Sequence, residues 1–312
     1  MKKILLFGEP MALLTTTTMT SLEEAQLFQK SLSGAEVNVA IGLTRLNHQV
    51  TYITALGNDP LGKYILKHLE NEGIKTDLIS INPNYPTGMM MKNQVEIGDP
   101  MIYYYRQNSA FSHYDLENIK HIDFSEYDQL HITGIPLALS QNTKEASFEL
   151  AKRAKENGVY VSYDPNLRIQ LWPNQQTMIE TTNQMAKFCD MILPGINEGE
   201  ILMGSKEPRQ IADYFINLGV KEVVIKLDKE GTYYQNNQTS QIVSGFKVEK
   251  VVDTVGAGDG FAVGIISARL EGLNYEEMLI RANAIGALQV QTLGDNEGLP
   301  TPQILKDYIK LR

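Results

Sequence analysis

The stretch VVDTVGAGDGFAVGIISARL, residues 251–270, decides how this chain is read. Its β-branched start reads as a strand that turns through closely spaced glycines into an apolar helix. Gly256, Ala257 and Gly258 carry almost no side chain, so successive backbone N–H groups at the helix entrance can be exposed together. Such an entrance is an anion site, and it gives most to charge that gathers on a phosphoryl group during transfer. Asp259 stands in the first turn, where the helix dipole favours its carboxylate form beside a bound hydroxyl. It would accept the proton of an attacking alcohol. Asp253 reads as a holder of the turn or of a metal-bound water. A structural helix cap is the competing reading, since glycine-rich turns before buried helices are common. GxxxxGK[ST] and GxGxxG are both absent, so this is neither a P-loop nor a Rossmann fingerprint.

Outward from this segment, the chain alternates short apolar runs with helix-period stretches. Residues 3–7 and 50–56 are strand-like and end in glycine, and between them Ala35, Val39, Leu43 and Leu46 recur at helical spacing. Residues 61–73 repeat the helix period, with Gly73 as the C-cap. The alternation resumes at QLHITG (129–134), a helix ending near Gly158, VYVSYDP (159–165), a helix through Phe188, and DMILPG (190–195). KEVVIKL (221–227) and short strands through Val252 follow, and the end is helical apart from residues 292–300. This order predicts one α/β domain over 1–312, a three-layer α/β/α sandwich around a parallel sheet. Residues 86–108 instead hold two β-rich runs around a Gly-Asp-Pro turn. Together with the polar segment before Gly34, they predict a small β-sheet lid from about 12–33 and 86–110 over the carboxyl ends of the main strands.

Composition narrows the class. With 43% hydrophobic and 21% charged residues the chain is globular rather than disordered. The net charge of −9 argues against nucleic acid and anionic membrane as partners, so an anionic ligand needs a local basic site. MKKILLFG reads as a first strand, and no apolar run approaches the roughly 18 residues of a membrane span. The single Cys189 can form neither an internal disulfide nor a sulfur-rich metal site, which fits a cytoplasmic enzyme.

Two further positions invite chemistry. Asn197 and Glu200, an N-x-x-E pair beyond DMILPG, can orient waters around Mg²⁺ or form an ordinary exposed helix entry. Lys226, after a buried run, either offers its charge to a nucleotide or snorkels at an edge.

Taken together, SGAEVNVAIGLTRL (33–46), NEGE (197–200) and DTVGAGDGF (253–261) resemble the sugar-binding helix, the metal-region element and the anion-hole motif of the ribokinase-like carbohydrate kinases. The resemblance covers almost the whole chain, and its last motif is the most specific. It implies a ribokinase-like fold, ATP as co-substrate, Mg²⁺, and room for a monovalent cation that no local ligand set fixes. YYRQNSA (104–110), HITGIPLALS (131–140) and DPNLRIQLW (164–172) look like members that act on the sugar acid 2-keto-3-deoxygluconate. By this resemblance Gly34, Tyr104, Arg106 and Arg168 contact the sugar acid, Asp295 lies near its hydroxyls, and Asp259 is the base. Asn38, which shares a small-residue helix face with Gly34 and Gly42, joins the sugar side. Asn197, Lys226, Gly231, Asn283 and the turn from Gly256 to Asp259 fall on the ATP side, with Asn197 and Glu200 serving Mg²⁺ through water. Asp228 replaces the first glycine of a common KLGxxG pattern, and Ser33 stands where glycine is frequent.

Independently of any family, an acidic protein needs fixed guanidinium groups to recognise a small carboxylate. Arg106 or Arg168 can hold the acid's C1 carboxylate and leave O6 toward ATP, although a sugar phosphate would satisfy the same cations. The expected reaction is phosphorylation of O6 by ATP. A kinase for fructose or 2-keto-3-deoxygalactonate, and a noncatalytic sugar sensor, remain the alternatives. Methionines 89–91 and tyrosines 103–105 read as lid packing or a homo-oligomer contact, Tyr104 apart. The five histidines lack metal-ligand spacing, Cys189 reads as a small buried hydrophobe, and Trp172 as packing behind the Arg168 segment.

Overall fold

In KILLF every side chain after Lys3 is buried, with Ile4 and Leu6 packing on one side and Leu5 and Phe7 on the other. A strand apolar on both faces belongs in a sheet covered on both faces. The computed structural model, which describes residues 2–96 and 100–311, places it there.

The first third of the chain contains β1 (Lys3–Phe7), β2 (Met11–Thr16), β3 (Phe28–Ser33), α1 (Ala35–Arg45), β4 (Gln49–Gly57), α2 (Pro60–Glu72), β5 (Ile79–Asn82), β6 (Met89–Lys92) and β7 (Ile102–Tyr105). Then come β8 (Gln129–Thr133), α3 (Gly134–Leu139), α4 (Gln141–Glu156), β9 (Tyr160–Asp164), α5 (Gln175–Ala186), β10 (Met191–Ile192), α6 (Ile196–Met203) and α7 (Pro208–Asn217). The last part comprises β11 (Glu222–Lys226), β12 (Gly231–Asn236), β13 (Ser240–Ser244), α8 (Ala257–Glu271), α9 (Tyr275–Gln289) and α10 (Pro302–Ile309).

Nine strands form the main sheet in the order β13-β12-β11-β10-β9-β8-β1-β4-β5, parallel from β11 to β5 and antiparallel at β12 and β13. Ile4, Leu6, Val50 and Tyr52 pack with residues of α1, α8 and α9, while Leu5, Phe7, Ile132 and Val161 pack with α4, α5 and α7. The result is the three-layer α/β/α sandwich. Because the inner strands run the same way, their carboxyl ends share one edge, which is where an open α/β sheet offers a crevice.

A second sheet of four strands, in the order β3-β2-β6-β7, stands apart from the first. Two antiparallel pairs, β2/β3 and β6/β7, are joined by parallel pairing of Ala12 with Met89 and Leu13 with Met90. Met11, Leu13 and Met90 form its small core, against which Ile102 and Tyr104 pack. Gly98 and Asp99 of the expected turn lie outside the described residues.

One local expectation is corrected. Residues 251–253 form no strand: the N–H groups of Val252 and Asp253 both donate to Val290 O at the end of α9, at 2.8 and 3.3 Å. Val251 and Val252 are exposed, so their β-branched pattern has no strand to pair with. Among the described residues, no helix is long and apolar enough to cross a membrane.

Candidate active site

The site is organised by the N-terminus of α8. Gly256 caps this helix at φ 78, and a Cβ there would collide with the carbonyl oxygen of Asp295, so glycine is required both by conformation and by space. The N–H groups of Gly258 and Asp259 fall in the first turn and have no acceptor within the helix. Two cavities meet at this point, one of about 710 Å³ and one of about 480 Å³. Lys226, Asp228, Thr254 and Gly258 line both.

Gly34, Asn38, Tyr104, Arg106, Arg168, Asp295, Gly256 and Asp259 all line the smaller cavity. Gly34, at φ 142, leads from β3 into α1, and a Cβ on it would lie 2.6 Å from Glu9 O. One turn further, Asn38 Nδ2 donates to Asp259 Oδ2 at 2.7 Å. Burial pushes the Asp259 carboxyl up to about 6, with the Asn38 bond and the Arg168 charge opposing that rise and the Asp164 and Asp295 carboxylates adding to it. Asp295 is buried and its carboxyl pKa is raised, chiefly by burial; Ser33 Oγ donates to Oδ2, and Oδ1 has no partner among the described residues. Ser33 thus aims an acceptor that is itself left open to a ligand hydroxyl.

The two arginines are not equivalent. Arg106 is buried, with Nε and Nη2 each 2.7 Å from Glu9 Oε2, and Ser109 Oγ donates to the other Glu9 oxygen. Its charge is therefore already balanced inside the protein. Arg168 is exposed on the cavity rim, and its guanidinium makes no hydrogen bond or ion pair among the described residues. Gly42 lies away from the cavity, where a Cβ would sit 2.6 Å from Val263 Cγ2, so that small face serves close packing of α1 on α8.

Lys226, Gly231, Ala257, Gly258 and Asn283 line the larger cavity, with Phe246, Val251 and Val290 supplying apolar wall. Lys226 Nζ reaches both oxygens of Asp164, at 2.9 and 2.8 Å. Burial works against the Lys226 charge, but the carboxylates of Asp164 and Glu198 outweigh it and hold its pKa above the usual value. Asn283 is satisfied within the fold, accepting from Thr232 Oγ1 at 2.6 Å and donating to the Val243 and Ser244 carbonyls. Asp228 adopts φ 52, the left-handed conformation that the replaced glycine would take without cost.

A family model described as pfkB family carbohydrate kinase matches residues 1–302. The chain belongs to this family. The pfkB kinase is 44% identical over 304 residues to the 2-dehydro-3-deoxygluconokinase of Bacillus subtilis, a match covering 97% of this chain and 94% of that one. It is 29% identical to the enzyme of the same name from Thermoproteus tenax, over 99% and 95% of the two chains. Among solved structures, a PfkB protein from Polaromonas sp. JS666 superposes with a TM-score of 0.90 at 38% identity, covering 98% of this chain and 99% of the other.

In this pfkB kinase Asn197 and Glu200 line neither cavity; both are exposed on α6, and Glu200 pairs with Lys206 at 3.2 Å. The carboxylate that α6 turns inward is Glu198, whose oxygens accept from the N–H groups of Leu167 and Gly195, both at 2.7 Å. Burial raises its pKa, an effect that Lys226 opposes and Asp164 reinforces. Among the described residues no group of three or more His, Cys, Asp or Glu side chains could cage a metal. The donor set suits a small divalent cation that arrives on a nucleotide's phosphates and keeps most of its water. Asp253 holds the turn, accepting from Val255 N at 3.1 Å, and it also pairs with Lys92.

Glu9, Asp164 and Glu198 escaped the reading of the sequence. The available signal was positional, since each carboxylate lies at or just beyond the carboxyl end of a parallel strand. Elsewhere, burial holds His131 down to about 3 and so keeps it neutral, Cys189 is buried, and Trp172 packs against the α4–α7 side of the core.

Proposed function

We propose that this carbohydrate kinase transfers the γ-phosphoryl group of ATP to O6 of 2-keto-3-deoxygluconate, giving the 6-phosphate and ADP. The observation that carries the proposal is the meeting of two cavities at one helix entrance, with Asp259 inside the smaller and the Lys226–Asp164 pair between them. ATP lies in the larger cavity with its terminal phosphate at the Gly256–Asp259 turn. The sugar acid lies in the smaller. Asp259 orients O6 and takes its proton as the O6–phosphorus bond forms and the bond to the ADP oxygen breaks. The free N–H groups of Gly258 and Asp259 receive the charge that builds on the phosphoryl oxygens.

The acid's carboxylate is met by Arg168, the cation of this cavity whose guanidinium forms no ion pair among the described residues. Arg106, neutralised by Glu9, holds the wall and has Nη1 left to offer. Asp295 Oδ1 accepts from a sugar hydroxyl. Mg²⁺, held by ATP's phosphates and its own water rather than by a cage of side chains, would screen the phosphate charges against the incoming oxygen. Similarity to the Bacillus subtilis relative supports 2-keto-3-deoxygluconate over a neutral hexose, which would leave Arg168 uncompensated.

We further infer that the four-stranded sheet acts as a lid that excludes water during transfer. Its exposed Tyr103, Tyr105 and Met101 support self-association through the lid. A disulfide-free chain that uses ATP fits the cytoplasm. The deciding experiment is an ADP-release screen of the purified protein with Mg-ATP and 2-keto-3-deoxygluconate, 2-keto-3-deoxygalactonate, gluconate or fructose. Preference for fructose, or no ADP with any acceptor despite saturable sugar binding, would overturn the assignment.

A further inference from the structure

Lys92 ends β6, an inner strand of the small sheet, yet its side chain is only 8% exposed. Its ammonium lies 2.9 Å from Asp253 Oδ2, whose side chain is 10% exposed, and the two residues are 161 positions apart in the chain. Asp253 uses its other oxygen to accept from Val255 N, immediately before Gly256. The pair therefore runs from the small sheet straight into the turn that starts α8. A second fastening lies on the other side of that turn: Ser33, the last residue of β3, donates to Asp295, whose carbonyl oxygen packs against Gly256. Two strands of the small sheet thus hold the two segments that flank the phosphate-binding glycine.

We propose that Lys92 is a positioning residue which couples the seating of the small sheet to the geometry of the Gly256–Asp259 turn. When the sheet sits down, the buried ion pair sets the Asp253–Val255 turn, and through it the direction of the Gly258 and Asp259 N–H groups. When the sheet lifts, Lys92 leaves, the Asp253 carboxylate exchanges its counter-charge for water, and the turn relaxes. The pair is formed with no sugar present, so the turn is set whenever the sheet is seated, and any lifting of the sheet as sugar enters or leaves would confine transfer to the seated state. The inference rests on the kinase reading above but not on which sugar is the acceptor.

Lys92→Met and Lys92→Arg test it, by amide hydrogen exchange on the acceptor-free protein and by steady-state kinetics with Mg-ATP. In Lys92→Met, exchange across 251–259 should rise about tenfold while β1 and β4 keep their protection. The kcat should fall about 100-fold, as expected for misplaced catalytic groups, with KM for ATP changed less than about threefold. Lys92→Arg keeps the charge and should recover most of kcat. Should Lys92→Met fail to fold, the double variant Lys92→Met/Asp253→Asn leaves no unpaired buried charge and keeps an acceptor for Val255 N, and it should show the same exchange and the same kcat loss. Unchanged exchange at 251–259, unchanged kcat in the folded single or double variant, or no recovery in Lys92→Arg would each overturn the proposal. If the wild type phosphorylates no sugar acid, the substrate assignment fails, while the exchange comparison still decides the coupling.

Discussion

Asn38 Nδ2 donates to Asp259 Oδ2 at 2.7 Å, joining the helix that follows the small sheet's β3 to the helix at whose entrance the two cavities meet. The bond fixes the plane of the carboxylate and leaves Oδ1 for a ligand. It also favours the charged form against the burial that pushes this carboxyl up to about 6. A carboxylate so held is oriented and still mostly deprotonated at neutral pH.

Asp259→Asn keeps the shape and removes the proposed base. Turnover should fall roughly 10³-fold, within the usual range for general-base removal, with KM for the sugar acid changed less than about threefold. ADP release against acceptor concentration measures both. Near-normal turnover would take Asp259 out of the proton-transfer role.

The acid limb of kcat should lie near the Asp259 value of about 6, with activity lost as the pH falls through it and the carboxylate is protonated. Asn38→Ala removes a bond that lowers this pKa, so the limb should move to higher pH. A pH–rate profile for both proteins is the check; identical limbs would mean that another group titrates.

Much of this architecture was legible in the sequence because parallel strands buried on both faces read as apolar runs, and the glycine turn at 256–258 is a local pattern. What was not legible depends on distant partners. Arg106 reads as a free clamp until Glu9, 97 residues earlier, is seen to neutralise it. The N-x-x-E spacing puts Asn197 and Glu200 on one helix face, but sequence alone does not say which face is turned inward; α6 turns Glu198 there. The strand expected at 251–253 failed because its N–H groups are taken by a helix end.

The arginines should separate cleanly in mutation. Arg168→Ala should raise KM for the sugar acid about 30-fold, the loss of one charged hydrogen-bonding contact, with stability altered by no more than about 0.5 kcal/mol. Arg106→Ala strands Glu9 in the interior and should cost about 3–5 kcal/mol of stability. Thermal melts beside the kinetics would show it; equal Tm losses in both variants would contradict the difference in pairing.

Asp228 holds φ 52 beside both cavities. Asp228→Gly relieves that strain, partly offset by the greater freedom of glycine in the unfolded chain, for a net gain of about 0.5–1 kcal/mol. The expected readout is a Tm higher by about 2 °C. A lower Tm would mean that the Asp228 side chain stabilises the loop by more than its backbone conformation costs.

Glu36, on α1, is buried and accepts from Thr133 Oγ1, while a Cβ on Gly8 would overlap its carboxyl group. Burial raises its pKa from 4.5 to about 7, with the Thr133 bond and the Arg106 charge opposing the rise and Asp259 adding to it. Because the folded value is the higher one, the neutral form stabilises the fold below pH 4.5, and that contribution is lost as the pH rises to about 7. Its size is about 3 kcal/mol, from a shift of roughly 2.5 pH units at 1.36 kcal/mol each. Glu36→Gln stays neutral throughout and can still accept from Thr133, so its stability relative to wild type should climb between pH 4.5 and about 7 and level off above. Melting both proteins side by side across that range cancels the other titrating groups. A difference that stays flat would mean that Glu36 ionises in the fold as easily as it does in water, and that this buried position carries a full charge that Arg106, already bound to Glu9, would have to balance as well.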